Sequence, residues 1–405
     1  LIPAAQGTKL YSVLPSDGTG DFTFTRSSVA TRINAQGLIE NVASGQSRLD
    51  YPLIDGVQKG CPHHILEPAR TNLLPYSNDF SNSSWSKYSF GTGLTPVLTS
   101  NSLISPDGTL NASKVVFNSG SGTTTSDQSI LEDTVTATSG VAINQSVYLK
   151  GEIGGEKILV RGANGSSYTT LTLTDKWVRY NVTETSGATS STWAIGLRQG
   201  LGGVVINSTV TIYMYAAQFE QGSYVTSYIP TNGESGGVTR SAETASGAGN
   251  STTFSDSEGV LMAEISALAD DGTYKFISIS DGTTSNRVSV YFSNLNKLSA
   301  SVPDVAAFSS NVNIKNNNKV AFKYKSGGYS FYVNGFELGT STSTAGLHSG
   351  LNTLSFDFGG GSDDFFGKTK QIQYFDSVLD SEQLEQLTSW QSFRDMANGQ
   401  LYTIE

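Results

Sequence analysis

The sequence has a single cysteine, Cys61, among its 405 residues, so no disulfide can form within the chain and packing must hold the fold. A lone cysteine usually packs as a small apolar side chain, and we expect Cys61 to be buried and inert. No apolar run approaches the roughly 18 residues that a transmembrane helix needs. The chain begins Leu1-Ile2-Pro3, without Met and without a charged-then-apolar leader, from which we expect a start inside a longer gene product or after processing.

Charge is also scarce. Charged residues make up 15% of the chain, the net charge is −10, and Lys and Arg form no extended cluster. A protein that binds duplex nucleic acid or an anionic membrane surface needs a basic face to neutralise phosphates. The sequence therefore predicts neither a nucleic-acid partner nor membrane insertion.

Catalytic motifs are missing as well. Neither a G-x-S-x-G elbow nor a Walker-type phosphate loop occurs in the sequence. A glycosidase needs two carboxylates, about 5 Å apart when it retains configuration and farther apart when it inverts. Glu264 stands alone on its predicted strand, and Glu337 stands alone on the last strand of a predicted meander formed by residues 321–325, 329–333 and 336–339. We expect no enzyme and no catalytic residues, with a carboxylate pair assembled from distant strands as the open alternative.

Glycine and short polar residues are abundant. The chain has 43 Gly and much Ser, Thr and Asn, which is typical of short strands joined by turns, and aromatic residues at 10% argue against disorder. Candidate strands lie at the spacing of a sandwich. In the first half they are residues 114–117, 141–150, 157–161, 168–173, 177–182, 192–198 and 209–220. In the second half they are residues 259–265, 275–280, 287–292, 319–324, 329–333, 352–358 and 367–375.

Residues 216–246 divide the chain, because a strand there breaks at Gly222, stops at Pro230 and gives way to turn residues. We predict an all-β protein with two tandem antiparallel β-sandwiches. Residues 1–72 form an N-terminal β-hairpin arm that packs on the next module or on a partner chain, and residues 73–231 form a jelly roll. A linker at 232–250 leads to a second sandwich at 251–405, which a short helix at 381–387, capped by Ser381, closes.

Four stretches resemble known domains. EPARTNLLPYSNDFSNSSW at 67–85 and AAQFEQGSYVTSYIPT at 216–231 resemble signatures that bracket a carbohydrate-binding-module-like jelly roll of tailed-phage structural proteins. KVAFKYKSGGYSFYVNG at 319–335 and FFGKTKQIQYFDSVLDSEQLEQLTS at 365–389 resemble a laminin-G or concanavalin-A-like module. Proteins of this layout are similar to tail fibres, head fibres and other virion appendages.

The resemblance implies a virion location, attachment to host-surface polysaccharide, contacts with other virion proteins and a homotrimer. A purely structural role in decorating the capsid or tail, and a polysaccharide-degrading tail protein, are the alternatives. Repetition of weak sugar sites around an axis would raise avidity.

Sugars bind to aromatic faces flanked by polar side chains that read the hydroxyls. In the first module the candidates are Trp85, Tyr168 and Trp193, although a buried packing role is an equal alternative for Trp85 and stays open for Trp193.

The acidic, glycine-rich stretch at 357–364 is the main polar feature of the second module. Its carboxylates Asp357, Asp363 and Asp364 are candidate calcium ligands, because oxygen ligands suit Ca²⁺ and laminin-G-like modules sometimes bind calcium at such a rim. A solvated hairpin loop is the alternative reading, and no other cofactor is expected. His63, His64 and His348 lack the spacing of a metal site and are expected to be structural or on the surface.

Overall fold

The computed structural model describes residues 4–6, 9–11, 21–54, 56–163, 165, 167–201, 207–345 and 349–390. Within these residues the chain is all-β, with 32 strands and one eight-residue helix, as the sequence predicts. In the part of the chain described here, no helix is long and apolar enough to cross a membrane. The N-terminal segment contains β1 (Ala4–Gln6), β2 (Lys9–Tyr11), β3 (Thr23–Thr25), β4 (Ala30–Ile33), β5 (Ile39–Val42), β6 (Arg48–Asp50), β7 (Leu53–Ile54), β8 (Val57–Gln58), β9 (His63–Leu66) and β10 (Arg70–Asn72).

The middle of the chain contains β11 (Ser86–Phe90), β12 (Leu94–Ile104), β13 (Leu110–Asn118), β14 (Gln128–Thr136), β15 (Ala142–Gly151), β16 (Lys157–Arg161), β17 (Tyr168–Thr172), β18 (Val178–Thr185), β19 (Ser190–Arg198) and β20 (Thr209–Gln221). The remainder contains β21 (Val238–Arg240), β22 (Thr244–Ser246), β23 (Glu258–Ala267), β24 (Lys275–Ser280), β25 (Arg287–Phe292), β26 (Leu298–Val302), β27 (Ala306–Ser310), β28 (Asn318–Lys325), β29 (Tyr329–Val333), β30 (Phe336–Ser341), β31 (Thr353–Ser355), β32 (Gly367–Phe375) and helix α1 (Ser381–Thr388).

The first sandwich is built from the middle ten strands. One sheet has the strand order β11-β14-β19-β16-β17 and the other the order β12-β13-β20-β15-β18, with antiparallel pairing throughout. Successive side chains of a strand point to opposite faces, so Trp193, Ile195 and Leu197 of β19 enter the core together. They pack there with Trp85 and Phe117. The predicted antiparallel sandwich is confirmed.

The second sandwich pairs a seven-stranded sheet, β30-β29-β28-β23-β32-β9-β6, with a five-stranded sheet, β27-β26-β25-β24-β31. The predicted meander β28-β29-β30 turns at Asn334 and Gly335, whose φ angles of +51° and +88° suit a two-residue hairpin turn. Only glycine adopts this backbone without strain, and Asn tolerates it better than most residues.

Helix α1 lies on the outer side of the seven-stranded sheet, where Leu384 packs with Met262 and Tyr332. Its cap is Asp380 rather than the predicted Ser381. The Asp380 carboxylate accepts from the Gln383 amide at 2.8 Å, and the Gln383 side chain accepts from the Asp380 amide at 3.0 Å. This reciprocal capping box satisfies two backbone donors at once, which explains why the helix begins one residue after the aspartate.

The N-terminal segment is not a separate arm. Strand β9 pairs with β32 and carries β6 at its outer edge, so residues from the start of the chain complete the seven-stranded sheet. Phe22 and Leu66 belong to the core of the second sandwich. Strands β3 and β10 pair with β22 and β21 of the predicted linker. Strands β6 and β9 of the segment therefore belong to the second sandwich, which lies farthest from it in sequence, whereas Ile39 of its β4–β5 hairpin packs against the first sandwich.

Cys61 is exposed, which corrects the expectation of a buried thiol. It lies in the connection between β8 and β9, directly after Gly60, whose φ of +81° turns the chain. Cys61 belongs to none of the hydrophobic clusters found in the described residues.

A buried ion network holds the N-terminal segment, the linker and the junction between the sandwiches together. Glu243 of the linker pairs with Arg26 at 2.7 Å and with Arg48, and Glu67 pairs with Arg48 and Arg240, both at 2.8 Å. All five side chains are at most 3% exposed. Buried charges are tolerated only when they are paired and hydrogen-bonded, so each member depends on the others.

The network predicts a loss of stability in acid. Burial alone would raise the pKa of the Glu67 carboxyl, but Arg240 and Arg48, with a hydrogen bond from Ser227, lower it well below its usual range. The stabilisation is therefore present above the unfolded-state pKa of about 4.3 and lost as the pH falls. We expect Glu67→Gln to reduce the slope of unfolding free energy against pH, by about 0.2 kcal/mol per pH unit at pH 5 and by about 1.3 kcal/mol per pH unit at pH 3. Urea unfolding at several pH values measures this, and equal slopes for both proteins would contradict it.

Candidate functional site

The outer face of the sheet β11-β14-β19-β16-β17 carries a group of long polar side chains. Directly paired residues of neighbouring strands project to the same face, and the register places Glu132, Ala194, Arg161 and Tyr168 in one row across four strands. Each of the five strands adds one long side chain to this surface, which we call the tyrosine–arginine face: Tyr88, Glu132, Arg198, Arg161 and Tyr168.

One half of the face is centred on Glu132. Its Oε2 accepts from Arg161 Nη2 at 2.9 Å and from the Tyr88 hydroxyl at 3.1 Å. The carboxylate and guanidinium each keep 20% exposure, and their ion pair passes over Ala194, which is the residue between them in the row. Burial, and then the Glu132 charge, raise the pKa of Tyr88 to about 12, so its hydroxyl stays a proton donor at neutral pH.

The other half is centred on Tyr168. Arg198 Nη1 donates to the Tyr168 hydroxyl at 2.7 Å, and the guanidinium carbon lies 5.2 Å from the ring centroid. Arg198 Nε donates to the Thr125 carbonyl at 2.8 Å. No ion pair between Arg198 and a carboxylate occurs in the described part of the chain. The positive charge of Arg198 is therefore held in place by neutral groups.

The central strand, β19, places only small residues at the middle of the face. Ala194 and Gly196 are its outward residues between the two halves. A Cβ at Gly196 would lie 2.1 Å from the Ser129 carbonyl oxygen, so only glycine permits the close approach of β19 to β14. Phe90 extends the aromatic edge beside Tyr88, with ring centroids 5.6 Å apart, and is 59% exposed.

This arrangement offers ring faces for stacking and fixed donors and acceptors beside them. Aromatic rings attract apolar C–H surface, and a guanidinium provides several donors in a rigid plane. Glu132 is the only carboxylate among the five residues of the face, and it is already paired. Two carboxylates are needed for general-acid and nucleophile or base roles in glycoside hydrolysis, so the face is suited to binding rather than to that chemistry.

Of the three predicted aromatic candidates, only Tyr168 lies on this face. Trp85 and Trp193 are 1% and 0% exposed in the core of the first sandwich, with ring centroids 5.2 Å apart. Neither indole presents a surface to a ligand, which corrects their prediction as glycan-binding residues. Trp193 is buried because it alternates in phase with Ile195 and Leu197, and Trp85 is fixed by the bond from its Nε1 to the Tyr76 carbonyl at 2.8 Å.

Four residues of the face were not predicted: Tyr88, Glu132, Arg161 and Arg198. Two of them, Arg161 and Arg198, lie on predicted strands, where the signal that marks them as outward is that each directly follows a core residue. Arg161 follows Val160, and Arg198 follows Leu197, both of which are buried.

The three candidate calcium ligands lie on one loop but differ in environment. Asp357 is buried and Asp363 is exposed. Burial, with the neighbouring Asp357 and Asp363 charges, raises the pKa of Asp364 to about 6. Among the described residues no group of three or more His, Cys, Asp or Glu is arranged to hold a metal ion. Calcium binding there stays a prediction.

The histidines support no metal site in the described residues either. His63 and His64 are buried in β9, as a structural role requires, and burial lowers the pKa of His64 to about 4. His348 lies outside the described residues.

Comparison with known proteins adds likenesses of fold only. No family model matches the chain, and no curated protein does. Solved structures that resemble it include the CBM40 module of an IT-sialidase from Ruminococcus gnavus, at 16% identity and a TM-score of 0.30, which covers 36% of this chain and 94% of the module. Domain 4 of the GH43 arabinanase AbnA from Geobacillus stearothermophilus matches at 12% identity and a TM-score of 0.30, over 36% of this chain and 73% of that domain. A SAP-like pentraxin from Limulus polyphemus matches at 17% identity and 0.27, over 34% and 72%. At these TM-scores the likenesses carry no weight for function, which rests on the site itself.

Proposed function

We propose that this protein binds glycans without chemically altering them, and that the tyrosine–arginine face is where it does so. The observation that carries the proposal is the combination on one face of an ordered Tyr168–Arg198 pair, a second pair of Tyr88 with Glu132 and Arg161, and the exposed Phe90 ring. Sugar rings present an apolar C–H face and a rim of hydroxyls. The aromatic rings can stack on the C–H face, and the fixed polar groups can form hydrogen bonds with the hydroxyls.

We also propose where the protein acts and which glycan it binds, and this part rests on the sequence resemblance alone. We propose that the ligand is a host-surface polysaccharide and that the protein is a virion appendage of a tailed phage. Contacts with other virion proteins and a homotrimer belong to the same proposal. Three weak sites that engage together would raise avidity far above the affinity of one.

Replacing Tyr168 by alanine tests the site. The change removes both the stacking surface and the acceptor that positions Arg198, so we expect glycan affinity to fall at least tenfold, equivalent to about 1.4 kcal/mol. A glycan array with the full chain identifies the ligand, and calorimetric titration then compares the variants.

Tyr274→Ala is the matched control, because Tyr274 is an exposed tyrosine, 42% accessible, on the second sandwich. It should leave affinity unchanged. Equal affinity for the wild type and the Tyr168 variant would refute the assignment of the face. The absence of saturable binding to any glycan would favour a purely structural role, and reducing-sugar release that depends on one carboxylate would favour a depolymerase.

A further inference from the structure

A cavity lies where three parts of the chain meet, on the side of the first sandwich that faces away from the tyrosine–arginine face. It is bordered by the β4–β5 hairpin and β6 of the N-terminal segment, by the outer face of β15 and β18, and by one end of the seven-stranded sheet. We call it the junction cavity. Its volume of about 270 Å³ lies just below the range of about 300–1,000 Å³ typical of drug-sized ligands, so it suits a small anion or a single sugar residue.

Positive charge predominates in the lining of the junction cavity. Four of its side chains are cationic: Arg32, Arg179, Lys315 and Lys368. Arg32 and Lys315 each pair with a carboxylate that lies outside the lining. Arg179 and Lys368 make no ion pair within the described residues. The charges of these two side chains are therefore the ones left for a ligand.

Lys368 forms one wall of the cavity. The register places it in one row with Ile65 and Arg48, across β32, β9 and β6, and residues paired in this way project to the same face of the sheet. Lys368 is half-buried. Its Nζ makes no hydrogen bond with a described residue and remains in contact with solvent, so a ligand in the cavity can reach it.

Tyr148 and Arg179 form the opposite wall. They are direct partners in β15 and β18 and project to the outer face together. Arg179 Nη1 donates to the Thr226 carbonyl at 2.7 Å and Nη2 donates to Ser146 Oγ at 3.0 Å, so neutral groups hold its charge in place. The Tyr148 hydroxyl makes no hydrogen bond with a described residue and is also in contact with solvent. Burial raises the pKa of Tyr148, so this hydroxyl is a proton donor at neutral pH.

Two carboxylates also line the cavity, and both are already engaged. Glu67 belongs to the buried ion network. Asp50 Oδ1 accepts from the Ile33 amide at 2.8 Å. Asp50 is thus the one carboxylate of the lining, outside the network, that faces the two cations Arg179 and Lys368, and a positive charge is left over. Hydrogen bonds between a cation and an oxyanion are shorter and stronger than those between neutral groups, so this lining favours an anionic ligand.

We propose that the junction cavity binds a small oxyanion, either free or carried as the carboxylate of an acidic sugar. The Lys368 ammonium and the Tyr148 hydroxyl donate to its oxygens, and the Arg179 guanidinium adds a fixed positive charge beside them. The site lies on the other sheet of the first sandwich from the tyrosine–arginine face, and the proposal does not rest on that face. Because its walls come from both sandwiches and the N-terminal segment, the site exists only when all three are docked.

Calorimetric titration of the full chain at low ionic strength tests the proposal, with glucuronate and inorganic phosphate as the anionic probes and glucose as the neutral one. We expect glucuronate to bind and Lys368→Gln to weaken its binding about tenfold, the loss of one charge-assisted hydrogen bond. Tyr148→Phe should weaken it roughly 3- to 10-fold, the loss of a neutral one. Phosphate that binds with the same dependence on Lys368 would identify the ligand as a free oxyanion, and binding of glucuronate alone would identify it as a sugar carboxylate.

Lys323→Gln is the matched control, because Lys323 is also half-buried, on β28 of the same sheet, and lies outside the lining. It should bind glucuronate as the wild type does, and Lys368→Arg, which keeps the charge, should retain most of the affinity. Any binding of glucose should be unchanged in Lys368→Gln, which separates this site from the tyrosine–arginine face.

The proposal is overturned if neither anion binds, if Lys368→Gln binds both anions like the wild type, or if Lys323→Gln weakens binding equally. The melting temperatures of Lys368→Gln and Tyr148→Phe should match the wild type, because the groups they remove have no hydrogen-bond partner among the described residues. A marked drop in both would show that these groups serve the fold, which also contradicts the proposal.

Discussion

Replacing Glu243 by glutamine should lower the free energy of unfolding by about 3–5 kcal/mol, the usual cost of breaking a buried ion pair from one side. Glu243 accepts from Arg26 Nη1 at 2.7 Å, from Arg48 Nε at 2.8 Å and from the Glu67 amide at 3.0 Å. Glutamine is neutral, so Arg26 would lose its ion-pair partner in the network, and Arg48 would keep Glu67, which it shares with Arg240. Equilibrium urea unfolding monitored by tryptophan fluorescence measures the loss.

Glu40→Gln is the matched control. Glu40 also pairs with an arginine, Arg32, but the two side chains are 37% and 29% exposed. Ion pairs in contact with solvent contribute about 0–1 kcal/mol, so this variant should unfold close to the wild type. If the two variants lost similar stability, the buried network would not be the element that holds the segments together.

Removing residues 1–72 should prevent the second sandwich from folding. The deletion takes β9 and β6 from the seven-stranded sheet, Phe22 and Leu66 from its core, and Glu67 from the ion network. It leaves the edge of β32 unpaired and apolar surface open, which invites aggregation. Hydrogen exchange should show weak protection in β23–β32, whereas the wild type protects them.

Adding a peptide of residues 21–72 should restore that protection, because the strands and charges are supplied in trans. The same peptide with Glu67→Gln should restore it less well. A truncated chain whose second sandwich is as protected as in the wild type would support a dispensable arm and contradict the structure described above.

Much of the fold was predictable because alternation is a strong signal. Strands β19, β28 and β29 place apolar residues at every second position, and the Asn334-Gly335 turn fixes a hairpin. Helix α1 was predictable from its leucines. These features depend on neighbours in sequence, which a single chain displays directly.

The N-terminal strands and the binding face were not predictable in the same way. Strands β6, β9 and β10 have three or four residues each, too few for a period to emerge, and their partners lie far along the chain. Tyr88 and Glu132 lie on β11 and β14, which no clear alternation in the sequence marks as strands. Arg161 and Arg198 were on predicted strands, but only the order of strands in the sheet shows that all four share a face.

Trp85 and Trp193 illustrate the limit of reading residue type alone. An indole ring can stack on a sugar or pack in a hydrophobic core equally well. Which of the two it does depends on the face of the strand or turn from which it projects. Trp193 could have been assigned to the core from its phase with Ile195 and Leu197.

The structure of the full chain with the oligosaccharide selected by the glycan array tests the proposed binding face most directly. We predict density for a sugar ring in contact with Tyr168 and Arg198, on the outer side of the sheet β11-β14-β19-β16-β17. A saturated complex whose sugar lies elsewhere, with the tyrosine–arginine face bare, would contradict the proposal.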